Sequence, residues 1–526
     1  MKKIKQKHLV ITFLLAMFTS SVFSQRLNRN EGRFFTDNIS NKRVNVNNLT
    51  GAKNATDSSL LTKLIDETSR SGGGTIYLMP HKGKSTFYFN NVIFKSNIHL
   101  KIDPRVTIIN LPVSRNTTVF NIGDSGPVEN IAITSLKENS TKKSDAFKVE
   151  LQGKFDTAVS LIALRNVKNF KVSSINIKDN YTKFNNIVMN LPKSRIKTQI
   201  ATKGIVQNIY TVNNHVGYGA IQTQSAKTVL FKNINCTGGT ALRIETGSSV
   251  ISVNNIQTVD DLVGKGIRSF NGLCAVDLSP HRVNQGQVDI TNVSSSGSTY
   301  AVIISGGFKD RREKGSIDNL GTFSDKSYVQ ISKVTGGNTA QVKGKDFPFY
   351  SCVVAAELKK NAKNNPDNES TNATSIAVVR DSADPSNGCK STGNKARGCY
   401  KPTVILPRDS NISGSFARSG RSKKTVYDGD KTRGCGRSRK IATEIDFNDE
   451  NEESVDAFAI YPNPASDILN VRGAKSKIVI YGVTGQVVME SKPTQNSVIT
   501  QLDISKLDRG VYFISNGIQT KKIIHN

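Results

Sequence analysis

Five side chains with acid–base or hydrogen-bonding chemistry recur along one stretch of the chain, on short runs of alternating apolar and polar residues: Gln222, Arg243, Glu245, Asp277 and His281. Two of them are carboxyl groups, and hydrolysis of a glycosidic bond usually requires a pair of carboxyl groups. One donates a proton to the leaving oxygen, and the other activates water or attacks the sugar directly. The pattern therefore predicts a site that cuts a polymer, provided that the fold brings the two groups together.

Glu245 is the best candidate for the proton donor. It ends the run LRIE, in which apolar and charged residues alternate, so that Arg243 and Glu245 share one face of a strand. If the two apolar residues fill the core, Glu245 stands on the outer surface. A lone glutamate in such a place is more often a solvated surface residue. The presence of Gln222, Asp277 and His281 on neighbouring runs favours the catalytic interpretation.

The elements that must position these residues are short β-type runs that return at a coil-like spacing. Between about 166 and 335 a phrase rich in Asn, Ser and Val or Ile repeats, as in VLFKNINCT, ISVNNIQTV and VDITNVSSS. Repetition of one small unit predicts a solenoid, with Val and Ile in the core and Asn and Ser laddering at the corners. The alternative is an antiparallel sandwich. It would need tight Asn-Gly hairpin turns, which are scarce here.

The start of this region carries a first resemblance. A helix from about 58 to 70, capped by Asp57, is followed by GGGTIYLMP and KSNIHLKIDPRVTII. This order resembles the start of right-handed parallel β-helices in polysaccharide-degrading enzymes. The resemblance implies an all-β fold class: a right-handed parallel β-helix with an inserted lobe.

A more specific resemblance lies around the candidate site. The stretches NNHVGYGAIQTQ and GGTALRIETG, with the SPH that ends at His281, resemble the iota-carrageenases of glycoside hydrolase family 82 over about 44 to 350. That family implies cleavage of the β-1,4 bond of sulfated galactans with inversion. It also implies Glu245 as general acid, with Gln222 and His281 as supporting residues. No cofactor is required, and structural calcium and chloride ions are expected; the metal ligands stay unknown.

One departure from this family concerns the general base, which there is an aspartate two residues after the acid. Here that position is Gly247. Asp277 is the first replacement candidate. If Asp277 occupies the matching position on the next coil, its backbone lies only ~4.8 Å from that of Glu245, which is closer to the separation in retaining enzymes. If it is offset diagonally by two positions, the distance is about 7–8 Å, which leaves room for a water between the carboxyl groups. Asp260 and Asp261 form a second candidate pair. They are similar to the paired aspartates of pectin hydrolases, but the accompanying Gly-His-Gly motif is missing.

Four residues are predicted to bind substrate: Arg243, Arg282, His215 and Tyr218. A guanidinium fork matches a sulfate ester, so Arg243 and Arg282 suit a sulfated polymer, although both could equally be structural partners of the carboxyl groups. His281 likewise has a plain alternative, as a corner histidine packed beside a proline.

Composition limits the partners. The 526-residue chain has a formal net charge of +30, a pI of about 9.8 and no tryptophan. Nucleic acid, an acidic membrane surface and an acidic polysaccharide are the partners that such a charge suits. No RNA-binding aromatic motif, zinc-finger spacing or helix-turn-helix pattern is present. We therefore expect no nucleic-acid partner, and the sulfated polysaccharide substrate is what the family resemblance implies.

The N-terminal sequence has the pattern of an export signal. Basic residues precede an apolar run, small residues follow it, and cleavage is expected near Ser24, so that residues 1–24 form a signal peptide. The apolar run is too short for a membrane span, which needs roughly 20 residues, and no transmembrane segment is predicted. Cys236 and Cys274 are expected to be buried thiols. The remaining cysteines admit three disulfide pairings: Cys352, Cys389, Cys399 and Cys435.

The predicted organisation has four parts: the signal peptide, a β-helix domain over 25–440 with a basic insertion around 361–440, an acidic linker over 441–456, and a C-terminal domain over 457–526. The last part alternates at period two and predicts a small antiparallel β-sandwich. Its order YPNPASD, LDISKLDRGVYFI and KKII resembles the C-terminal sorting domain of the type IX secretion system. That resemblance implies the type IX machinery as a partner and a secreted or cell-surface location. A carbohydrate-binding sandwich is the alternative.

These observations predict a secreted endo-acting hydrolase of a sulfated galactan, iota-carrageenan first. A polysaccharide lyase or a pectin-type hydrolase on the same fold is one alternative. A non-catalytic glycan-binding surface protein is another, and Gly247 keeps it open.

Overall fold

The computed structural model describes residues 26–112, 116–153, 157–192, 196, 198–247, 251, 257–309, 320–389, 398–418, 424–432, 458–472, 474, 477–493, 499–516 and 520–526. The predicted signal peptide and the acidic linker lie outside the described residues. Contacts divide the chain into two compact units, Met1–Arg437 and Ser438–Asn526. Among the described residues, no helix is long and apolar enough to cross a membrane.

The first unit is built on one large sheet whose strands pair in parallel. Its strands are β1 Arg43–Asn45, β2 Gly74–Leu78, β3 Thr86–Phe89, β4 Val92–Ile93, β5 Ile98–Ile102, β6 Thr107–Asn110, β7 Thr117–Ile122, β8 Val128–Ser135, β9 Phe147–Glu150, β10 Val159–Leu164, β11 Val167–Lys178, β12 Ile187–Met189, β13 Ala201–Thr223, β14 Ala226–Glu245, β15 Val259–Phe270, β16 Cys274–Ser279, β17 Val288–Ser296, β18 Val302–Ile304, β19 Tyr328–Gly336, β22 Val379–Asp381, β23 Thr403–Ile405, β24 Ile412–Gly414 and β25 Thr425–Tyr427; β20 Ala340–Lys343 and β21 Ser370–Ala373 form a separate antiparallel pair. The parallel β-helix predicted from the repeats is confirmed.

Apolar residues stack from coil to coil in register, and this stacking forms the core. One such row joins β12, β13, β14, β16, β18 and β22, and all its members are buried: Ile187, Ile221, Leu242, Val276, Val302 and Val379. Because successive side chains of a strand point to opposite faces, the residue after each of these points outward. The outward row on the same strands carries the candidate site.

Asparagines ladder at the corners, as the repeats predict. Asn97, Asn130 and Asn169 each have a positive φ. The Asn130 amide donates to Asn97 Oδ1 at 2.7 Å, and the Asn169 amide donates to Asn130 Oδ1 at 2.8 Å. Asparagine tolerates the left-handed conformation better than most residues, so it is suited to a tight corner. The ladders hold the register between coils.

The first helix, α1 Thr56–Arg70, buries Leu61 and Ile65 against the start of the β-helix core. The prediction that Asp57 caps this helix is wrong, because the N-cap position is Ala55. Asp57 lies inside the first turn, and its carboxylate accepts hydrogen bonds from the backbone N–H groups of Thr50 and Gly51 at 2.7 Å. Asp57 therefore fixes the approach of the chain to the helix.

A strap of N-terminal residues lies along the outside of the later coils. Arg26 and Arg29 both pair with Asp289 of β17, which is fully buried, and the Arg26 contact is 2.5 Å. Arg33 pairs with Asp261 of β15 at 2.6 Å. The beginning of the described chain is thus tied to coils more than two hundred residues away.

A lobe interrupts the coils between β19 and β22. It contains β20, β21 and a second helix, α2 Cys352–Ala362, and it has a small apolar cluster of its own. The basic insertion expected around 361–440 is narrower than predicted, because β22 to β25 rejoin the parallel sheet.

The cysteines of this unit follow the expected division. Cys236 and Cys274 are buried free thiols, and Cys389 forms a disulfide with Cys399. Cys435 lies outside the described residues.

The second unit consists of antiparallel strands in two sheets. They are β26 Ala459–Tyr461, β27 Ile468–Arg472 and β30 Ile499–Asp503 in one sheet, and β28 Ile478–Tyr481, β29 Val487–Ser491, β31 Gly510–Ser515 and β32 Thr520–His525 in the other. Apolar residues of both sheets share one buried cluster, as Leu469 and Ile514 illustrate. The predicted antiparallel sandwich is confirmed.

Candidate active site

Three of the predicted site residues form one outward row across neighbouring coils. Gln222 of β13 pairs in register with Arg243 of β14, and Arg243 pairs with Asp277 of β16. Their apolar neighbours in sequence form the inward row described above, so all three point away from the core. Adjacent coils lie about 4.8 Å apart at the backbone.

Glu245 lies two positions further along β14, opposite Ser279 of the next coil. Its carboxylate forms an ion pair with the Arg243 guanidinium group. It also accepts a hydrogen bond from Gln222 Nε2 at 3.2 Å, and His281 Nε2 lies 3.1 Å from its other oxygen. The side chain is only 12% exposed. The structure therefore brings all five residues of the predicted constellation together.

The surroundings of Glu245 favour its ionised form. Burial alone would raise its pKa, but the charge of Arg243 and the hydrogen bond and charge of His281 outweigh burial and hold the pKa of Glu245 well below its usual range. In this arrangement Glu245 is a carboxylate.

Asp277 is placed differently. Burial and the nearby negative charge of Glu245 raise its pKa, and Arg243, whose Nε lies 4.0 Å from Asp277 Oδ2, opposes the shift. Within the described part of the chain, Asp277 Oδ1 is buried without a hydrogen-bond partner. The two carboxyl groups thus have pKa values shifted in opposite directions, but the raised pKa belongs to Asp277 and not to Glu245. Because the proton donor of such a pair is the group with the raised pKa, the acid role predicted for Glu245 requires a change in its surroundings.

His281 is held in place by its backbone and by packing. It lies in the turn after β16 with φ of 52°, a left-handed conformation that non-glycine residues rarely adopt. Its ring packs on Phe308 with centroids 4.2 Å apart, and its carbonyl oxygen accepts hydrogen bonds from the backbone of Phe308 and Gly321. This rigid setting directs the imidazole at Glu245.

The ring of His281 also borders the position of the missing aspartate. A β-carbon on Gly247 would lie 3.1 Å from two ring atoms of His281 and 3.7 Å from the carboxyl carbon of Glu245. A side chain at 247 would therefore stand directly beside Glu245, and His281 would have to shift by a few tenths of an ångström.

His215 and Tyr218 lie at the edge of this site. The Tyr218 ring is 5.8 Å from the Arg243 guanidinium carbon, and its centroid is 5.3 Å from that of His215. His215 is buried, its Nδ1 accepts a hydrogen bond from the Gly217 N–H at 2.9 Å, and burial lowers its pKa to about 4. His215 is therefore neutral at ordinary pH. Tyr218 is the better placed of the two to touch a ligand, because it is only half-buried.

The remaining residues predicted for the site are buried or are bonded to other parts of the protein. Arg282 is only 6% exposed, so an external sulfate has little access to it, and its substrate-binding role stays a prediction. Asp260 accepts a hydrogen bond from the Gln287 N–H at 3.0 Å, and Asp261 is engaged by Arg33 and Thr228. The second candidate pair of carboxyl groups is thus used in other contacts.

Lys343 was missed by sequence reasoning. It ends β20 in the lobe, and its Nζ lies 4.0 Å from the point where a β-carbon on Gly217 would stand. Burial and the charges of Lys345 and Arg243 lower the pKa of Lys343 to about 8, against the pull of both site carboxylates. Nothing in its local sequence, QVKGKD, links this lysine to a site a hundred residues earlier.

No group of three or more His, Cys, Asp or Glu side chains in the described ranges could hold a metal ion. Calcium can also be held by backbone and amide carbonyl oxygens, so the structural calcium and chloride ions stay predictions.

Fold and site together define a parallel β-helical protein with a candidate acid–base pair on the outward side of adjacent coils. Comparison with known proteins narrows this class. The chain is 33% identical over 279 residues to an iota-carrageenase of Zobellia galactanivorans, covering 52% of this chain and 54% of that protein. It is 30% identical over 262 residues to an iota-carrageenase of Alteromonas macleodii, covering 49% and 51%. The chain thus spans about half the length of the curated relatives it matches.

Solved structures agree on the fold. A 1,3-alpha-1,4-beta-D-galactose-4-sulfate-3,6-anhydro-D-galactose-2-sulfate 4 galactohydrolase superposes with a TM-score of 0.64 at 21% identity, over 79% of this chain and 97% of that one. An iota-carrageenase of family GH82 from A. fortis, solved in the absence of chloride ions, gives 0.64 at 20% identity, over 79% and 96%. At these identities the likeness concerns the fold alone.

The C-terminal unit has a match of its own. Residues 459–526 match the family described as a secretion system C-terminal sorting domain. The protein is therefore secreted or displayed at the cell surface.

Proposed function

We propose that this protein is a secreted, endo-acting glycoside hydrolase that cleaves β-1,4 linkages of a sulfated galactan, with iota-carrageenan as the first candidate. The observation that carries the proposal is the placement of Glu245 and Asp277 around Arg243 on adjacent coils. Two relatives named iota-carrageenase support the choice of polymer.

Asp277 is the proposed general base, in place of the aspartate absent at Gly247. Its offset of two positions from Glu245 corresponds to about 7–8 Å between α-carbons, which suits a water held between the groups and an inverting reaction. Its raised pKa makes it a stronger base than an ordinary aspartate while it stays ionised.

Glu245 is the proposed general acid, and it must gain a proton that Arg243 now opposes. A sulfate ester bound in the groove would compete for the same guanidinium fork. Drawing Arg243 away from Glu245 would raise the pKa of Glu245 when substrate is present. Gln222 and His281 would keep the carboxyl group in position.

This role for Arg243 is tested by pH profiles. The profile of kcat reports groups in the enzyme–substrate complex, and that of kcat/KM reports the free enzyme. We expect the ionisation assigned to Glu245 at a higher pH in kcat than in kcat/KM. Equal values in both profiles would contradict a substrate-driven shift.

The activity itself is tested by release of reducing ends from iota-, kappa- and lambda-carrageenan, pectate and alginate. We expect release from a sulfated galactan, without the ultraviolet absorbance of unsaturated sugars. Unsaturated products would favour a lyase. Binding without reducing ends would favour a glycan-binding surface protein, the alternative that Gly247 supports.

Export through the type IX machinery completes the proposal. The sorting-domain match and the predicted signal peptide support it. Deleting residues 459–526 should retain the protein inside cells of a bacterium that has this machinery, and secretion of the truncated chain would contradict the route.

A further inference from the structure

A cavity of about 520 Å³ lies between the β-helix and the lobe, beside the candidate active site. Tyr181 and Asn213 line it from the β-helix, and Asn365, Ser370 and Asn372 line it from the lobe. Its volume lies within the range of small-molecule binding sites, which is about 300–1,000 Å³.

Tyr181 is the rigid element of this cavity. Its φ is 58°, which is an outlier for a bulky side chain, and such strain is found preferentially where a side chain must be aimed. The ring packs on His215 with centroids 4.6 Å apart. His215 in turn lies 3.6 Å from Asp367 of the lobe, and that carboxylate accepts hydrogen bonds from Ser370. The tyrosine is thus fixed from both walls.

The lining residues carry amides and hydroxyls but no charge among the residues that the structure describes. Asn372 is exposed, so its amide group can exchange water for sugar hydroxyls. Asn213 is also exposed, and since its Nδ2 donates to the Asp179 carbonyl oxygen at 3.0 Å, it offers a ligand chiefly its side-chain oxygen. Gln341, which also lines the cavity, is already bonded to Gly239 and Asn214 and serves to hold the lobe. A sugar ring with its hydroxyl groups fits this uncharged lining better than an isolated sulfate ion.

A short chain of contacts links the cavity to the catalytic row. Tyr181 touches His215, His215 touches Tyr218, and Tyr218 stands over Arg243. Tyr181 belongs to the coil of β12, which pairs with β13, and β13 pairs with β14 of Glu245. Two coil spacings separate them along the axis, or about 10 Å. One polysaccharide chain can therefore occupy both places.

We propose that this cavity is a glycan subsite that binds a sugar ring of the substrate through stacking on Tyr181 and amide hydrogen bonds, not through sulfate. The polymer named here rests on the proposed function. The binding itself does not, because it can be measured without catalysis.

The experiment titrates full-length Glu245→Gln protein, with and without Tyr181→Ala, with desulfated carrageenan oligosaccharides. We expect Tyr181→Ala to weaken binding about threefold to tenfold, to the same extent at low and high salt. Tyr181→Phe is the matched control, because it keeps the ring and removes only the hydroxyl contacts to Ser370 and Asp367, so that it should keep most of the parent's affinity. Unchanged affinity in Tyr181→Ala, or no measurable binding by the parent, would overturn the subsite.

A second variant covers the case in which Tyr181→Ala does not fold. Asn372 is exposed on the opposite wall, so Asn372→Ala should keep the thermal midpoint and still weaken binding. Parent-like affinity in folded Asn372→Ala would count against the amide contacts. If the wild type releases no reducing ends while these variants lose affinity, the proposed hydrolase is wrong and the subsite stands.

Discussion

Asp277 lies directly opposite Arg243 on the next coil, so one guanidinium group stands between Asp277 and Glu245. Two buried carboxylates in one groove would repel each other strongly without such a cation. Arg243 therefore permits both to be charged at once. An anion that binds Arg243 would therefore change the pKa of both carboxyl groups.

Glu245→Gln is expected to lower turnover by about 10²–10⁴ on the cleaved polymer, because the amide cannot supply a proton. Affinity measured by titration should be largely kept, since glutamine preserves the shape. A reducing-end assay gives the rate, and a thermal melt confirms that the variant is folded. Near-normal turnover would remove Glu245 from the mechanism.

Asp277→Asn should be nearly as damaging as Glu245→Gln, since it removes the proposed base. Asp260→Asn is the matched control, because Asp260 is bonded to Gln287 outside the site and should keep turnover. The opposite ranking of the two variants would move the base to Asp260.

Gly247→Asp is expected to restore part of the turnover lost in Asp277→Asn. The new carboxylate would start from a β-carbon 3.7 Å from the Glu245 carboxyl carbon, although the His281 ring must yield by a few tenths of an ångström. Gly247→Ala in the same background imposes the same crowding without a carboxylate. Equal turnover in both double variants would show that position 247 cannot supply a base here.

Lys343 predicts a pH dependence of KM. Its pKa of about 8 means that its positive charge is lost as pH rises through 8, whereas an ordinary lysine keeps its charge to about 10.4. KM for a sulfated substrate should therefore rise from pH 7 to pH 9. Lys343→Gln should raise KM at pH 7 and flatten this dependence. Charge attraction is screened by salt, so the effect should shrink at 1 M salt. The same pH slope in Lys343→Gln would assign the effect to another group.

The lowered pKa of Lys343 also predicts how the free energy of unfolding changes with pH. A folded-state pKa below the unfolded value means that the unfolded chain binds more protons between about pH 8 and 10.4. This group alone should make the wild type more stable, relative to Lys343→Gln, as pH rises through that window. Chemical denaturation of both proteins at pH 7.5 and 9.5 measures the difference.

The alternation in the sequence was enough to predict which face of β14 carries Arg243 and Glu245, because a strand has a period of two. It could not decide whether Asp277 lies above Glu245 or diagonally from it. That depends on the loop lengths between coils, and only the pairing of Arg243 with Asp277 shows the diagonal. Lys343 could not be predicted as a site residue either. It lies in the lobe, and the antiparallel pairing of β20 with β21 that positions it does not follow from its local sequence.

The lobe helix shows how local propensities can conflict. The stretch CVVAAELKKNA begins with β-branched residues, which favour a strand, but its Ala, Leu, Glu and Lys are strong helix formers and the stretch folds as the helix α2. The last part of the predicted basic insertion, residues 418–440, is described only at 418 and 424–432. There Arg418 donates to the Phe349 and Asp430 carbonyl oxygens, and Lys424 pairs with Asp409 at 2.5 Å.

The N-terminal strap has a consequence for the order of assembly. Arg26 and Arg29 close on Asp289, which becomes available only when the coil of β17 has formed. Contacts of such long sequence separation are slow to make, because loop closure must come before they contribute. The strap, although it precedes the coils in the sequence, is therefore expected to be among the last parts of the β-helix to dock.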